Sequence, residues 1–164
     1  MAKQKDVKTN AMRILDREKV PYRVNSYHCE DFIDGVHIAD MLGQEYARSF
    51  KTLVTTGRSG EHYVFALPVD RELDLKKAAK AVGEKSVEML PVKEIQGVTG
   101  YIRGGCTPIG MKKHYKTVVH VSALQFDEII ISGGRLGLQL LLSPRDLQRV
   151  SDAEFEDIII PAGK

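Results

Sequence analysis

The chain has no tryptophan, and Cys29 and Cys106 are its only cysteines. Two thiols cannot build a disulfide framework, and neither stands in a Cys-x-x-Cys pair of the kind that holds zinc. Long apolar runs are also missing. The longest, "LGLQLLLS" at 136–143, is broken by Gln139 and falls far short of the roughly 20 residues a membrane span needs. The opening "MAKQKDVKTNAMRIL" has no apolar core and no small-residue cleavage site, so no signal peptide is expected. Charge of one sign is lacking too: 24 basic against 22 acidic side chains leave +2, too little to argue by itself for a nucleic-acid partner. These absences point to a soluble, cytoplasmic protein. With 43% hydrophobic and 28% charged residues, 164 residues suffice for one domain, 1–164, that folds without staples.

Helix signals are local and clear. A helix is expected over 10–19, capped by Thr9 or Asn10 and stopped by Pro21, with Ala11, Ile14, Leu15 and Val7 facing inward. Asp34 can cap a helix through Leu42 that Gly43 ends, and Asp74 one that Gly83 ends. "SPRDLQRV" at 143–150 has Ser143 as cap, Pro144 at the first position and Asp146 three residues past the cap. Strands are expected at 22–27, 50–56, 62–68, 86–89, 117–121, 128–132 and 138–142, the second and third joined as a hairpin by "GRSG". Short helices among hairpin-spaced strands indicate an α+β fold.

In the strand 50–56, Lys51 shares a face with Leu53. On an edge it would point to water; on a covered face it needs an anionic partner or ligand. "GYIRGGCTPIGMKK" at 100–113 and "ISGGRLGLQ" at 131–139 are glycine clusters that read either as turns or as backbone approaching a ligand. Neither is a Walker loop or a dinucleotide fingerprint. Cys106 with His114 or His120 would make a nucleophile–base pair only if the fold joins them; otherwise it is a buried hydrophobe. "SYHCED" at 26–31 offers four ligand types in a row, but consecutive residues cannot all face one metal. "MKKHYK" at 111–116, and Lys3, Lys5 and Lys8, could touch phosphates or simply be solvated.

Five blocks in order resemble the YbaK/EbsC family of aminoacyl-tRNA deacylases, relatives of the editing domain of prolyl-tRNA synthetases. They are "DGVHIADMLG" at 34–43, "SFKTLVT" at 49–55, "ELDLKKAAKAVGEKSVEM" at 72–89, "TGYIRGGCTPIGMKK" at 99–113 and "IISGGRLGLQLLLSPRDL" at 130–147. The resemblance implies a curved, partly barrel-like mixed sheet flanked by short helices. It implies an enzyme that needs no metal or cofactor and removes cysteine from mischarged proline tRNA, with cysteine tRNA as a second candidate substrate, and with no DNA or membrane partner. Lys51 would be the residue on which activity depends. Thr52 would flank it, Gly104 and Gly105 would shape the aminoacyl pocket, and Ser132 with Gly133 would close it. Tyr27 matches the aromatic position after the first strand, and Phe32 a pocket phenylalanine. Lys112, Lys113 and Lys116 are the candidates for phosphates near the acceptor end. A small free-standing domain has little surface for reading a tRNA body, which raises a prolyl-tRNA synthetase as partner. The implied chemistry is substrate-assisted: the cysteine thiol attacks its own ester. The competing readings are a non-enzymatic module that binds a nucleotide or aminoacyl ligand for regulation, and a hydrolase built on Cys106.

Overall fold

Side-chain caps start four of the five α-helices described among residues 8–161 of this computed structural model. Helix α1, Asn10–Arg17, begins where Thr9 Oγ1 accepts from Met12 N at 3.3 Å. Helix α2, Gly35–Leu42, begins on Asp34, which accepts from His37 N at 2.9 Å. Asp74 takes the N–H groups of Lys76 and Lys77 at the start of α3, Leu75–Val82, and Ser143 takes that of Asp146 at the start of α5, Pro144–Ser151. Each cap satisfies donors that a helix start leaves unpaired. Gly43 and Gly83 end α2 and α3 in the left-handed conformation. Helix α1 stops two residues short of the expected end. Lys19 takes a positive φ, and Val20 N turns back to Leu15 O, before Pro21 is reached. Its buried stripe is Ala11, Met12 and Leu15, with Ile14 only half-buried; Val7 lies outside the described residues. Helix α4, Ile95–Thr99, was not expected inside the glycine-rich region.

Eight strands are described: β1 Arg23–Ser26, β2 Phe50–Gly57, β3 His62–Pro68, β4 Val87–Met89, β5 Lys116–His120, β6 Ile129–Ser132, β7 Leu138–Leu142 and β8 Glu154–Glu156. They form two sheets that do not close into a barrel. One is antiparallel, in the order β1-β7-β6; the other is mixed, β4-β2-β3-β5-β8. Among the described residues one parallel bridge, Ser49 with Ile130, joins them where β2 begins.

The mixed sheet is covered on both faces, which explains its apolar runs. Phe65, Leu67 and Val118 meet Ala78, Ala79 and Val82 of α3 on one face. Phe50, Ala66 and Val119 meet α1, α5 and the three-stranded sheet on the other. Fully burying a side chain such as Phe65 contributes about 1.5–3 kcal/mol.

His120 ends β5, buried. Ser122 N donates to its Nδ1 at 3.1 Å, so Nε2 carries the proton and faces Asp157 Oδ1 at 3.4 Å. Burial holds its pKa below the ordinary 6.5; Asp157 pulls it up, while Arg71 and Lys77 oppose protonation. The unfolded chain therefore takes up this proton at higher pH than the folded chain. This part of the stability is fully present above about pH 6.5 and declines as pH falls from there through the folded value. Urea midpoints of the wild type should drop over that window, and those of His120→Asn should not. Parallel pH curves for the two proteins would refute the assignment. Asp157 itself, held low first by Lys77, titrates in a separate and more acidic window.

Candidate active site

The two sheets part along one edge of β2. At its start, Ser49 bridges to β6. At its end, Thr55, Thr56 and Gly57 pair with β4, and Leu90 N donates to Val54 O at 3.0 Å. Between these ties the edge near Lys51–Leu53 lies open, although the other edge pairs fully with β3. A cavity of about 350 Å³ fills the gap, walled by β2, β6, the start of β7, α2 and the loops around residues 89–95 and 103–106. Its surface is mainly apolar, as in ligand pockets generally, but three charged groups, Asp34, Lys51 and Arg103, and several hydroxyls and amides line it as well.

Lys51 stands in this wall. Its cross-strand neighbour is Leu67, so it occupies the face that α3 covers farther along the sheet. Its Nζ donates to Val69 O at 3.3 Å, and among the described residues no carboxylate forms an ion pair with it. Burial lowers its pKa from 10.5, against the pull of Glu72, Asp70 and Asp34. An ammonium with three donors and one partner among the described residues has hydrogen bonds left for a ligand. The sequence question about a lysine beside a leucine thus resolves as a half-buried cation at a cavity, not an edge lysine in water.

Tyr27, Phe32, Thr52, Gly104 and Ser132 line the same cavity, from four separate segments. Tyr27 directly follows β1, and its N–H donates to Gly137 O at 2.9 Å; burial pushes its hydroxyl pKa up. Ser132 Oγ donates to Gly104 O at 3.3 Å, tying the two glycine clusters together. Gly104 has φ +85°, and a Cβ there would lie 2.8 Å from Leu136 and 3.0 Å from Phe32. At Gly105 a Cβ would lie 3.0 Å from Arg135 Cα, so only glycine lets these backbones touch. Gly105 and Gly133 do not line the cavity. They adjoin the lining residues Gly104 and Ser132 in the chain, and Gly133 N donates to Leu138 O in the β6–β7 hairpin. The glycine clusters are turns, and through Gly104 and Ser132 they also bound the cavity.

The three candidate phosphate lysines do not converge on it. Lys112 Nζ donates to Gly97 O at 3.0 Å, and Lys116 Nζ lies 3.9 Å from Glu154 Oε1. Lys113 borders a separate depression of about 170 Å³ with His114 and Tyr115. Lys8 pairs with Asp16, and Lys3 and Lys5 lie outside the described residues.

Cys106 lines the main cavity without a base. Among the described residues its side-chain partner is Thr99 Oγ1, 3.6 Å away, and burial pushes its thiol pKa up. His114 lies 3.9 Å from Asp152, and His120 faces Ser122 and Asp157. Among the described residues, no histidine lines the cavity.

Sequence reasoning missed two polar features. Gln139, read only as an interruption of an apolar run, is buried in the wall and accepts from Gln44 at 2.8 Å and Asn25 at 2.9 Å. A lone amide among leucines on a strand was the available signal. Arg103 sits at the rim, its Cζ 3.9 Å from the centre of the Phe32 ring; nothing local in the sequence signals that pairing.

Residues 35–150 match the aminoacyl-tRNA editing domain family. A protein of Enterococcus faecalis (strain ATCC 700802 / V583), named provisionally as a Cys-tRNA(Pro)/Cys-tRNA(Cys) deacylase, EbsC, is 46% identical over 160 residues, covering 96% of this chain and 98% of the relative. Two solved structures share the fold. One, described provisionally as a trans-editing enzyme for prolyl tRNA synthetase, superposes with a TM-score of 0.79 at 23% identity, covering 94% of this chain and 99% of that one. The other, a hypothetical protein, gives 0.84 at 22% identity, covering 92% and 99%.

Proposed function

This chain belongs to the aminoacyl-tRNA editing domain family, and from that premise we propose that it deacylates mischarged tRNA in trans, releasing cysteine from proline tRNA. The name of the Enterococcus relative supports the substrate. The observation that carries the reading is the cavity itself: a half-buried cation, Lys51, stands in a mainly apolar surface where no thiol–histidine pair is found among the described residues.

Such a site suits a substrate that brings its own nucleophile. The cysteinyl thiol attacks its ester carbonyl. A carbon–sulfur bond forms, the carbon–oxygen bond to the ribose breaks, and the thiol proton ends on the ribose hydroxyl. Cysteine leaves as a cyclic thiolactone that water then opens. Intramolecular attack can remove roughly 7–11 kcal/mol of barrier at its favourable limit. The protein has to fold the aminoacyl group into reactive shape and meet the oxyanion with positive charge. Lys51 would supply that charge. Thr52, Ser132, Tyr27, Phe32 and the Gly104 backbone would shape the site, with Gly105 and Gly133 holding the wall. Lys112, Lys113 and Lys116, none of which lines the cavity, would serve the tRNA body. A prolyl-tRNA synthetase would present the mischarged tRNA, in the cytoplasm.

The test is release of labelled cysteine from cysteine-charged proline tRNA. Release well above the uncatalysed rate is expected; none, from folded protein, defeats the proposal. Cys106→Ala should retain deacylation within a few-fold, because a thiol whose pKa is raised and which has no base beside it is a poor nucleophile. Loss of all activity in that variant, with an unchanged melting temperature, would revive a cysteine hydrolase.

A further inference from the structure

The rim of the cavity carries a cation that the chemistry above leaves unused. Arg103 is exposed, lines the mouth beside Gly104, and has no carboxylate partner among the described residues. Its Cζ lies 3.9 Å from the centre of the Phe32 ring, close to stacking distance. A guanidinium held by its face keeps its in-plane N–H donors free, in the fork that matches two oxygens of a phosphate.

The platform is itself braced. Phe32 lies in a segment without regular secondary structure, yet the Gly104 backbone comes so close that an added Cβ would be 3.0 Å from the ring. Phe32 remains 42% exposed, so stacking buries only part of it. Bracing before binding reduces the side-chain entropy a ligand contact must overcome. Position matters as well. At about 350 Å³ the cavity is at the small end of ligand pockets, so an RNA whose aminoacyl end enters it keeps its other nucleotides outside.

The geometry points to Arg103, stacked on Phe32, as the binding group for the phosphodiester that joins the last two nucleotides of the substrate RNA. The identity of that RNA rests on the deacylase reading; the phosphate contact rests on the rim. Lys51 inside and Arg103 at the mouth then place two cations along one entry path.

The probe is an uncharged acceptor-stem RNA ending in CCA, with binding followed by fluorescence anisotropy at several salt concentrations. Arg103→Ala should weaken binding about tenfold, as loss of a charged hydrogen-bonded contact does. It should also flatten the plot of log affinity against log salt by about 0.7, one single-strand phosphate. Arg103→Lys should restore the slope without the full affinity, because the ammonium neither stacks nor forks. Phe32→Leu, which removes the platform and keeps the charge, should weaken binding less than Arg103→Ala. On a second RNA carrying a neutral methylphosphonate at that linkage, wild type and Arg103→Ala should bind alike. Equal loss on both RNAs, or no loss on either, overturns the assignment. If wild-type protein binds the probe as described yet releases no cysteine from charged tRNA, the deacylase reading fails and this contact stands.

Discussion

Lys51→Met is expected to lower kcat/KM on cysteine-charged proline tRNA by about 10²–10³-fold, the range seen when a group aimed at a developing oxyanion is removed. The variant isolates the charge. Methionine keeps most of the aliphatic stem that packs along β2, and it lacks only the ammonium. The fold gives up little in exchange. Among the described residues the amine has one hydrogen bond, to Val69 O at 3.3 Å, and burial already disfavours its charged form. Replacing a desolvated cation by an apolar side chain of similar volume is often neutral or stabilising. The melting temperature should therefore stay level or rise. Activity within threefold of wild type would remove Lys51 from the reaction. A collapse of both activity and melting temperature would make it a structural residue instead.

Cysteine on proline tRNA should be released faster than serine on the same tRNA by on the order of a hundredfold or more, because a thiol is a few per cent thiolate near neutrality and strongly nucleophilic while an unactivated hydroxyl is neither. The two side chains differ by one atom of similar size, so a cavity of about 350 Å³ has little steric means to separate them. An enzyme-activated water would hydrolyse both esters at comparable rates, and comparable single-turnover rates would end the substrate-assisted mechanism. A cysteinyl ester methylated on sulfur gives the complementary measurement. It should be bound and left intact.

The sequence alone determined whatever is settled within a few residues. Asp34, Asp74 and Ser143 cap their helices through bonds spanning two or three positions, Gly43 and Gly83 stop two of them through their own φ, and β2 finds β3 across a short turn. The identity of the lysine strand and the five ordered blocks were legible for the same reason: they are contiguous text. Tertiary structure alone decided what depends on segments far apart in the chain. It made Met12 the buried neighbour of Leu15 where Ile14 was expected, added β8 in parallel beside β5, and parted the sheets at β2. It also brought Arg103 onto Phe32 and Gln139 onto Gln44, and it dispersed the lysines of 112–116 that had looked like one cluster. No local propensity encodes such pairings. They follow from how two sheets, each with an apolar face to bury, settle against each other, and the cavity lies along the edge of β2 left open between its bridge to β6 and its pairing with β4.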